Sequence, residues 1–487
     1  MIVGIAEAFL VSDPAHQPGS QRQKGTGSGP NDPRPIQNSD SLDPCPILPR
    51  PPTTRSAAWS ALARLGPAPF LAVVLGCTTL LFVGCLRLAE FASGPEPEET
   101  RIPSAPHVDR LIRVRLLGRA PVADGRLAVT GPYSIHDARS GAPLFQGTGP
   151  LGLCLVRPDP DARGVYIGGR RLDSDDLVVT PVRDGGITLA RPTRRAIRRR
   201  TYRGRLRITR QGDRLTFTNL VDVESYLLGV LRGELPRSFH PNSFKAQAVA
   251  ARTYVLFQKG EGPTGRSFDV LDNEGSQMYI GVQGEDRVAV AAVRATRGEV
   301  CVWNDGGDER IFCTYYSSTC GGRSQSVEHF RATERPIPPL AGNVVCEDCA
   351  VSAHYRWGPV RLSRDEVTRR IVARYPSIRK IGPIRDLIPK GLTAGGRIIR
   401  IQLNGSSGEN ETLMGEDFRL SIGGRTLKST CFTIETDGRG FVFANGRGFG
   451  HGVGLCQYGM DAKASRGMNY QDILAVYYPG STVKKLY

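Results

Sequence analysis

The chain has 487 residues and a formal net charge of +17, a length that allows two to three domains. Residues 19–55 are rich in Pro, Gly, Ser and Asp and nearly free of aromatic side chains. Because such a segment has too little apolar surface to offset the entropy of ordering, the composition excludes a uniformly globular chain. It predicts a disordered tail over residues 1–65.

One long apolar run without charge extends from Pro67 to Leu86, close to the roughly 20 residues that a membrane helix needs. Arginines precede this run and mostly glutamates follow it, and Lys and Arg bias a flank toward the cytoplasm. The sequence therefore predicts a single-pass signal anchor at 66–87 in the cell membrane. The tail is then cytoplasmic, 88–106 is a linker, and the remainder is extracytoplasmic. A cleaved signal sequence and a buried core helix are the alternatives.

Nine arginines lie between Arg194 and Arg210, and such a density is typical of contact with a polyanion. A chain exported across a membrane rarely meets nucleic acid, so we expect no nucleic-acid partner. Teichoic acid, anionic lipid and the stem-peptide carboxylates of murein are the better candidates. Charge and apolar side chains alternate over residues 202–209, which fits the solvated face of a strand equally well.

Residues 107–217 contain short strand patterns separated by Gly, Pro and Asp, which predicts an antiparallel, β-rich supporting region. The pattern changes at Asp222, after which Val223, Leu227 and Val230 follow helical spacing. Proline at position 236 disfavours helical geometry at the residue before it. The helix is therefore predicted to end near Glu234.

Glu234 gains a chemical role from this placement. On the apolar stripe of the helix its carboxylate loses hydration, and near the helix C-terminus it meets the negative end of the dipole. Both effects favour the protonated acid, which is what protonation of a glycosidic oxygen requires. The alternative without a functional role is a surface glutamate at a frayed helix end. Asp222 suits a helix cap, and Asp269 and Asp272 suit turns, so no convincing second carboxylate for two-carboxylate hydrolysis is found.

A second helix is predicted from the strong helix formers after Pro241. Lys245 and Arg252 form one i, i+7 pair along it, and Gln247 and Tyr254 form another beside the first. Such a row suits the polar groups of a glycan, with the tyrosine as a stacking surface. An amphipathic helix with a solvated basic edge explains the same pattern. Residues 358–437 carry a helical signal at 363–367 and a strand signal at 397–403, and they are interpreted as a mixed insertion.

Glycines at every second position from 446 to 454 permit unusual backbone angles and close approach to a ligand. The stretch lacks the Gly-Lys-Ser/Thr of a phosphate loop, which argues against nucleotide binding. His451, surrounded by these glycines, has little side-chain packing to explain it. A thiol nucleophile at Cys456 paired with this histidine lacks a supporting Asn or Asp.

Two fragments resemble the SpoIID/LytB family of cell-wall proteins. The first is Gly-Glu-Leu-Pro at 233–236 followed by Lys-Ala-Gln-Ala-Val-Ala-Ala-Arg-Thr-Tyr at 245–254, and the second is Gly-His-Gly-Val-Gly-Leu-Cys-Gln-Tyr at 450–458. The resemblance extends from about residue 110 to Tyr487, with 218–487 as the catalytic region, and implies an α+β fold whose strands and helices form a groove. It implies Glu234 as the catalytic acid/base. It also implies a set of groove residues: Lys245, Gln247, Arg252, Tyr254, Gln277, Tyr279, His451, Gln457 and Tyr458. The chain departs from the family pattern at three positions, with Ser276 for a cysteine, Cys456 for a serine and Met460 for an alanine.

Eight cysteines remain outside the tail and the apolar run. Cys320, then Cys346 and Cys349 in a Cys-x-x-Cys turn, then His354, have the spacing of a tetrahedral zinc site with three Cys and one His. With no open coordination position the zinc ion is structural. A disulfide from Cys320 to one of the other two cysteines is the alternative, and His329 is a less well spaced ligand.

Resemblance to the lytic transglycosylases of this family implies cleavage of the MurNAc-GlcNAc β-1,4 bond of peptidoglycan glycan strands, with formation of 1,6-anhydroMurNAc. Glu234 then serves as acid and as base, so one carboxyl suffices. A non-catalytic murein-binding protein that enhances an N-acetylmuramoyl amidase is the second hypothesis. A zinc-dependent amidase is the third, and it requires an open metal position.

Overall fold

The computed structural model describes residues 109–487, except 184, 193–196, 262–264, 332–333 and 335. The predicted tail (1–65), membrane anchor (66–87) and linker (88–106) lie outside the described residues. Within the part of the chain that is described, no helix is long and apolar enough to cross a membrane. The described part is a mixed α+β fold, which confirms the predicted fold class.

In the described part of the chain, twelve strands precede the first helix. They are β1 Leu111–Leu116, β2 Gly125–Val129, β3 Tyr133–Asp137, β4 Pro143–Gly147, β5 Leu151–Pro158, β6 Val165–Ile167, β7 Arg170–Leu172, β8 Asp176–Pro181, β9 Ile187–Pro192, β10 Ile197–Tyr202, β11 Arg205–Gln211 and β12 Arg214–Asp222. Strand β1 shows the alternation expected of a sheet with one buried face, because Ile112, Val114 and Leu116 are buried and their neighbours are less so.

These strands form two sheets. The first has the order β13-β1-β12-β11-β8-β3-β4, in which β13 (Val270–Leu271) joins β1 in parallel, and the second has the order β10-β9-β2-β5-β6-β7. Buried side chains of both sheets, such as Val114 and Leu189, belong to one hydrophobic core together with those of the helices that follow. The β-rich region thus supports the helical part directly.

Helix α1 (Val223–Glu234) begins where β12 ends, and the Asp222 side chain caps it by accepting a hydrogen bond from the Glu224 amide. The next helix, α2 (Pro241–Gly260), begins with proline at its first position and ends with a cap at Glu261. Its alanines 246, 248, 250 and 251 are fully buried, so neighbouring backbone packs closely against this face. The third helix, α3, is Arg287–Ala295.

The remaining elements surround these helices. The strands are β14 Glu299–Asp305, β15 Asp308–Ile311, β16 Tyr316–Ser317, β17 Gly322–Arg323, β18 Val345–Cys346, β19 Arg356–Trp357, β20 Val360–Ser363, β21 Ile384–Leu392, β22 Ile398–Gly405, β23 Asn410–Met414, β24 Cys431–Asp437, β25 Gly440–Arg447, β26 Leu455–Cys456 and β27 Ser481–Lys485. The helices are α4 Arg364–Arg374, α5 Gly415–Ile422, α6 Gln457–Ser465 and α7 Tyr470–Tyr477, with 3₁₀ turns at Gly281–Gly284, Val327–His329, Pro338–Leu340, Glu347–Val351 and Pro376–Ile381.

Helices α4 and α5 and strands β20 to β25 build a second hydrophobic core, which includes Ile371, Phe418 and Phe443. Most of these elements fall in residues 358–437, where the sequence predicts a mixed insertion. Ser363 caps α4 by accepting from the Glu366 amide, and the predicted strand near residue 400 is β22. After β25 the chain returns to the glycine-rich stretch, and β26 pairs in parallel with β16.

Candidate active site

Glu234 is the last residue of α1, where the sequence predicts the helix to end. Its Oε1 accepts a hydrogen bond of 2.7 Å from the Met278 amide and one of 3.2 Å from the Tyr316 hydroxyl. Its Oε2 lies 3.5 Å from the amide nitrogen of Gln457. Four separate segments therefore meet at one carboxyl group.

The electrostatics favour a protonated Glu234. Burial raises the pKa of the Glu234 carboxyl and is the largest effect, while the hydrogen bonds from Met278, Tyr316 and Gln457 lower it and the charge of Glu274 raises it further. The residue as a whole keeps partial exposure to solvent. Burial also raises the pKa of Tyr316 well above its usual value, so this hydroxyl stays a donor. An acid in such surroundings keeps its proton above the pH at which free glutamate loses it.

Two cavities lie near the residues that surround Glu234, and Glu234 itself is among the lining residues of neither. The larger has a volume of about 1250 Å³ and is lined partly by Tyr254, Ser276 and Tyr315. The ring of Tyr254 lies 6.4 Å from that of Tyr316, the donor to Glu234. The smaller, of about 400 Å³, is lined partly by Glu274 and by Met278, whose amide also donates to Glu234. We call the larger cavity the cleft.

His451 packs against aromatic rings near the cleft. Its ring stacks on Phe330 at 4.6 Å and meets Tyr315 edge-on at 5.8 Å, and its Nδ1 accepts from the Val453 amide at 3.0 Å. Burial lowers the pKa of His451 to about 4, so the ring is neutral near pH 7, and the backbone of Tyr316 is a hydrogen-bonding neighbour. Among the described residues no hydrogen bond joins His451 to Glu234; Tyr316 contacts both.

The glycine-rich stretch approaches protein backbone closely. Gly454 has a φ of +65°, and a Cβ there would lie 2.2 Å from the carbonyl oxygen of Tyr315. The sequence predicts close approach to a ligand at these glycines, whereas at Gly454 the close neighbour is the protein backbone of Tyr315, next to β16. This contact positions Gln457, which starts α6.

Two of the predicted groove residues, Gln457 and Tyr254, lie close to Glu234. Gln457 is 6% exposed and reaches Glu234 and, at 3.4 Å, the side-chain oxygen of Gln247, which is fully buried. Tyr254 lines the cleft. Tyr458 is partly buried, with its ring edge-on to Phe239 at 5.2 Å.

Other predicted groove residues lie behind the cleft. Arg252 is fully buried and makes a two-point ion pair with Glu224 at 2.9 and 2.8 Å. Gln277 is also fully buried, and its side-chain oxygen accepts a hydrogen bond from the Tyr226 hydroxyl. Tyr279 is 1% exposed, and its hydroxyl donates to the side-chain oxygen of Asn219. Side chains without exposure do not touch a ligand in this arrangement. The interpretation of Arg252, Gln277, Tyr279 and the equally buried Gln247 as groove residues is therefore corrected to one of support.

Lys245 lies apart from this support. It is partly buried, and its ammonium group is 5.8 Å from the ring centre of Tyr470 on α7. Its i, i+7 partner Arg252 is fully buried, so the row of groove residues predicted along α2 is not presented to one surface.

Sequence reasoning missed three contributors to the site: Tyr316, the Met278 amide and Glu274. Backbone donors have no signature in residue identity, and Tyr316 comes from a two-residue strand with no pattern of its own. Glu274 is exposed and follows a turn, so only its position near Glu234 distinguishes it.

Four cysteine sulfurs gather beside this site. The sulfurs of Cys320, Cys346, Cys349 and Cys456 all lie within 4.8 Å of one another. These thiols are buried, and no disulfide joins any of the described cysteines. A set of four sulfur donors fits the tetrahedral preference of zinc.

His354, the predicted fourth ligand, is not in this group. Its ring meets Phe449 edge-on at 4.9 Å, and its Nδ1 lies 3.5 Å from the Lys428 ammonium. The prediction from local spacing is therefore corrected, because β26 brings the distant Cys456 to the position that the sequence assigned to a nearby histidine.

Fold and site together define an α+β protein that holds a carboxyl of raised pKa at a helix end, near an aromatic-lined cleft. A family model described as Stage II sporulation protein, SpoIID, matches residues 211–303, which include α1, α2 and Glu234. A second model, described as a domain of unknown function, matches residues 346–454.

Three relatives cover similar shares of the chain. An uncharacterized protein of Brachyspira hyodysenteriae is 30% identical over 283 residues, which is 57% of this chain and 71% of that protein. Stage II sporulation protein D of Bacillus subtilis is 28% identical over 54% of this chain and 75% of its own length. The amidase enhancer of Bacillus subtilis is 26% identical over 53% of this chain, and the match spans only 40% of that relative. The chain belongs to the SpoIID/LytB family.

Proposed function

We propose that the chain is a membrane-anchored peptidoglycan lytic transglycosylase that cleaves the MurNAc-GlcNAc β-1,4 bond. One observation carries this proposal: the carboxyl of Glu234 is held by three donors beside a cleft, and burial raises its pKa. A general acid for a glycosidic oxygen needs its proton near neutral pH.

The proposed reaction uses this one carboxyl twice. Glu234 donates its proton to the glycosidic oxygen as the bond from that oxygen to C1 of the muramoyl residue breaks. The ionised carboxylate then takes the proton of the muramoyl C6 hydroxyl as this oxygen bonds to C1, which closes the 1,6-anhydro ring. The acid is regenerated, and water does not enter the products.

The donors around Glu234 suit both steps. Protonation is favoured by burial, while the Met278 amide and the Tyr316 hydroxyl stabilise the carboxylate that exists between the steps. His451 is neutral, so it adds no positive charge that would lower the pKa of the acid.

The cleft has the character of a sugar-binding surface. Aromatic rings line it beside polar groups, and a long chain of sugar rings needs flat apolar faces with hydrogen-bonding edges. The lining rings are Tyr254, Phe257, Phe268, Trp303, Phe312 and Tyr315.

Digestion of purified murein with the enzyme, followed by mass spectrometry of the fragments, tests the proposal. We expect anhydromuramoyl ends from the unmodified chain and a loss of about 10²–10⁴-fold in the rate with Glu234→Gln, the range for a removed general acid. The control Glu309→Gln alters an exposed carboxylate on β15 and should keep the full rate. Reducing ends instead of anhydro ends would refute the transglycosylase and indicate hydrolysis.

An amidase-enhancing role is the second proposal, and the match to the amidase enhancer of Bacillus subtilis favours it. In this role the cleft binds glycan strands without cleaving them, and the chain stimulates an N-acetylmuramoyl amidase. Absence of any cleavage, together with retained binding to murein and faster peptide release by an added amidase, would support this alternative.

The proposed site of action is the extracytoplasmic side of the cell membrane, in murein remodelling. The apolar run within residues 66–87 supports this placement by its length and its flanking charges. Protease added to intact spheroplasts should degrade the part of the chain that contains Glu234. Complete protection of that part would contradict the placement.

A further inference from the structure

We propose that Cys320, Cys346, Cys349 and Cys456 bind one structural zinc ion, and that this ion holds two of the donors to Glu234 in place. The metal site rests on the four sulfurs alone. The positioning of the donors matters for catalysis only if the proposed function holds, so this second part rests on it.

The spacing of the sulfurs fits a single tetrahedral ion. All four lie within 4.8 Å of one another, and those of Cys320 and Cys349 are 3.6 Å apart. Zinc-sulfur bonds of about 2.3 Å place the sulfurs of a tetrahedron about 3.8 Å apart. A disulfide requires about 2.05 Å, so this arrangement is that of ligands around a centre and not of bonded pairs.

Burial leaves no open position at the centre. The four cysteines are between 0% and 2% exposed, so no substrate or solvent molecule reaches the ion from outside. A closed set of four thiolates is the coordination of structural zinc, whereas catalytic zinc keeps a water ligand. The site is therefore distinct from one that would serve a zinc-dependent amidase.

The surroundings supply hydrogen bonds to the sulfurs. The backbone N–H of Cys320 donates to the sulfur of Cys456 at 3.2 Å, and the hydroxyl of Tyr477 lies 3.0 Å from the sulfur of Cys346. Donors of this kind stabilise thiolates and orient metal ligands. Position 459 accepts only glycine beside them, because a Cβ there would lie 2.2 Å from the sulfur of Cys346.

The four ligands come from three separate segments, and one of them adjoins the active site. Cys456 pairs with Ser317 in the parallel contact between β26 and β16. Tyr316, the residue before Ser317, donates to Glu234, and Gln457, the residue after Cys456, contacts it too. An ion bound by Cys456 therefore fixes the backbone from which both side chains reach the acid.

Metal analysis of the full chain tests the site directly. The protein is purified without added metal, and its zinc and iron contents are measured beside its intact mass after thiol alkylation. We expect about one zinc per chain, as a four-thiolate site requires. Cys456→Ser should lower this content strongly. The control Cys431→Ser changes another buried cysteine, whose sulfur faces the Gly395 carbonyl, and should leave it unchanged.

A second measurement keeps the proposal testable if Cys456→Ser folds poorly. Unmodified protein reconstituted with cobalt should show the absorption of thiolate-bound tetrahedral cobalt. Chelation should also lower the melting temperature by about 5 °C or more. Two disulfides among the four cysteines, four free thiols without metal, or iron in place of zinc would each overturn the proposal.

The positioning role is read from the pH profile of murein cleavage. The Gln457 amide lowers the pKa of Glu234, so its displacement should move the alkaline limb of the profile to higher pH. We expect this shift in Cys456→Ser and in Gln457→Leu, and no shift in Cys431→Ser. Zinc bound by the unmodified chain, together with an unshifted limb in Cys456→Ser, would refute the positioning role alone. Bound zinc without any cleavage would refute the proposed function and leave the metal site standing.

Discussion

Opposing effects at a single side chain set the protonation of Glu234. Burial favours the neutral acid, and three hydrogen-bond donors favour the carboxylate. The net pKa stays raised, so the donors limit the shift without reversing it. Burial and the donors therefore act in opposite directions on the proton that the proposed reaction transfers.

Glu274 provides a way to shift this balance. Its charge raises the pKa of Glu234, so Glu274→Gln should lower that pKa and move the alkaline limb of the murein-cleavage pH profile to lower pH. The acid then loses its proton earlier as the pH rises. The rate well below the limb should stay near that of the unmodified chain.

Glu409→Gln is the control for this experiment, since it removes an exposed carboxylate in a turn of the second core region. An unmoved limb in Glu274→Gln would show that the charge does not act on Glu234. Complete loss of cleavage at every pH would instead identify Glu274 as a second catalytic carboxylate, which the transglycosylase mechanism does not need.

Residue identity alone did not distinguish residues that line the groove from buried residues that support it. Arg252 has the polarity of a ligand-binding residue, yet it is fully buried against Glu224, and both ion-pair distances are below 3 Å. A buried charge needs a partner, and the partner lies 28 positions away in the chain. Periodicity along α2 gave the spacing of these side chains but not what covers each face.

Local sequence features of helix α1 place Glu234 at the end of that helix. Its cap at Asp222, its apolar stripe and the proline after its end are local features, and they set Glu234 at the last position. Glycine at 229 and 233 lets the segment around Met278 and Tyr279 pack onto this helix, because Cβ atoms there would lie 2.5 Å or less from that segment.

Gly233→Ala tests this packing. The added Cβ at position 233 would lie 2.0 Å from the Met278 carbonyl oxygen, so the segment around Met278 must move. The hydrogen bond from the Met278 amide to Glu234 is then lost. A hydrogen bond to a charged group contributes about 1.5–3 kcal/mol. Cleavage of murein should therefore slow about ten- to a hundredfold. Stability should change less than overpacking alone implies, because alanine favours the helix by about 1 kcal/mol.

The matched control is Gly152→Ala on β5, where a Cβ would meet nothing within 4 Å. It should keep both the cleavage rate and the melting temperature. An unchanged rate in Gly233→Ala would mean that the Met278 amide does not contribute to catalysis.

The whole described molecule contains two hydrophobic cores. One extends from the β-rich sheets through α1 and α2 to the cysteine cluster, and the other lies among α4, α5 and β20 to β25. Separate cores often open as separate cooperative units. The candidate active site belongs to the first core, so the second core can loosen without disturbing Glu234 directly.

Hydrogen exchange should reveal this division. Phe418→Ala removes a fully buried ring from the second core and should destabilise it by about 3–5 kcal/mol. Amides of β20 to β25 should then exchange faster, and amides of β1, β11 and β12 should keep their protection. The reciprocal control Phe217→Ala should affect the first core. Equal acceleration everywhere in both variants would show one cooperative unit instead.

Short-range interactions explain what the sequence by itself determined: the bounds of α1, the start of α2, the helical signal of α4 and the assignment of Glu234 to a helix end. Caps, proline and apolar spacing act within a few residues, so they are visible in contiguous sequence. Tertiary structure alone decided that Cys456 and not His354 joins Cys320, Cys346 and Cys349, that Tyr316 and Met278 hold the acid, and that Arg252 is buried. These outcomes depend on the pairing of segments far apart in the chain, such as β16 with β26, which many weak contacts select together and no local pattern records.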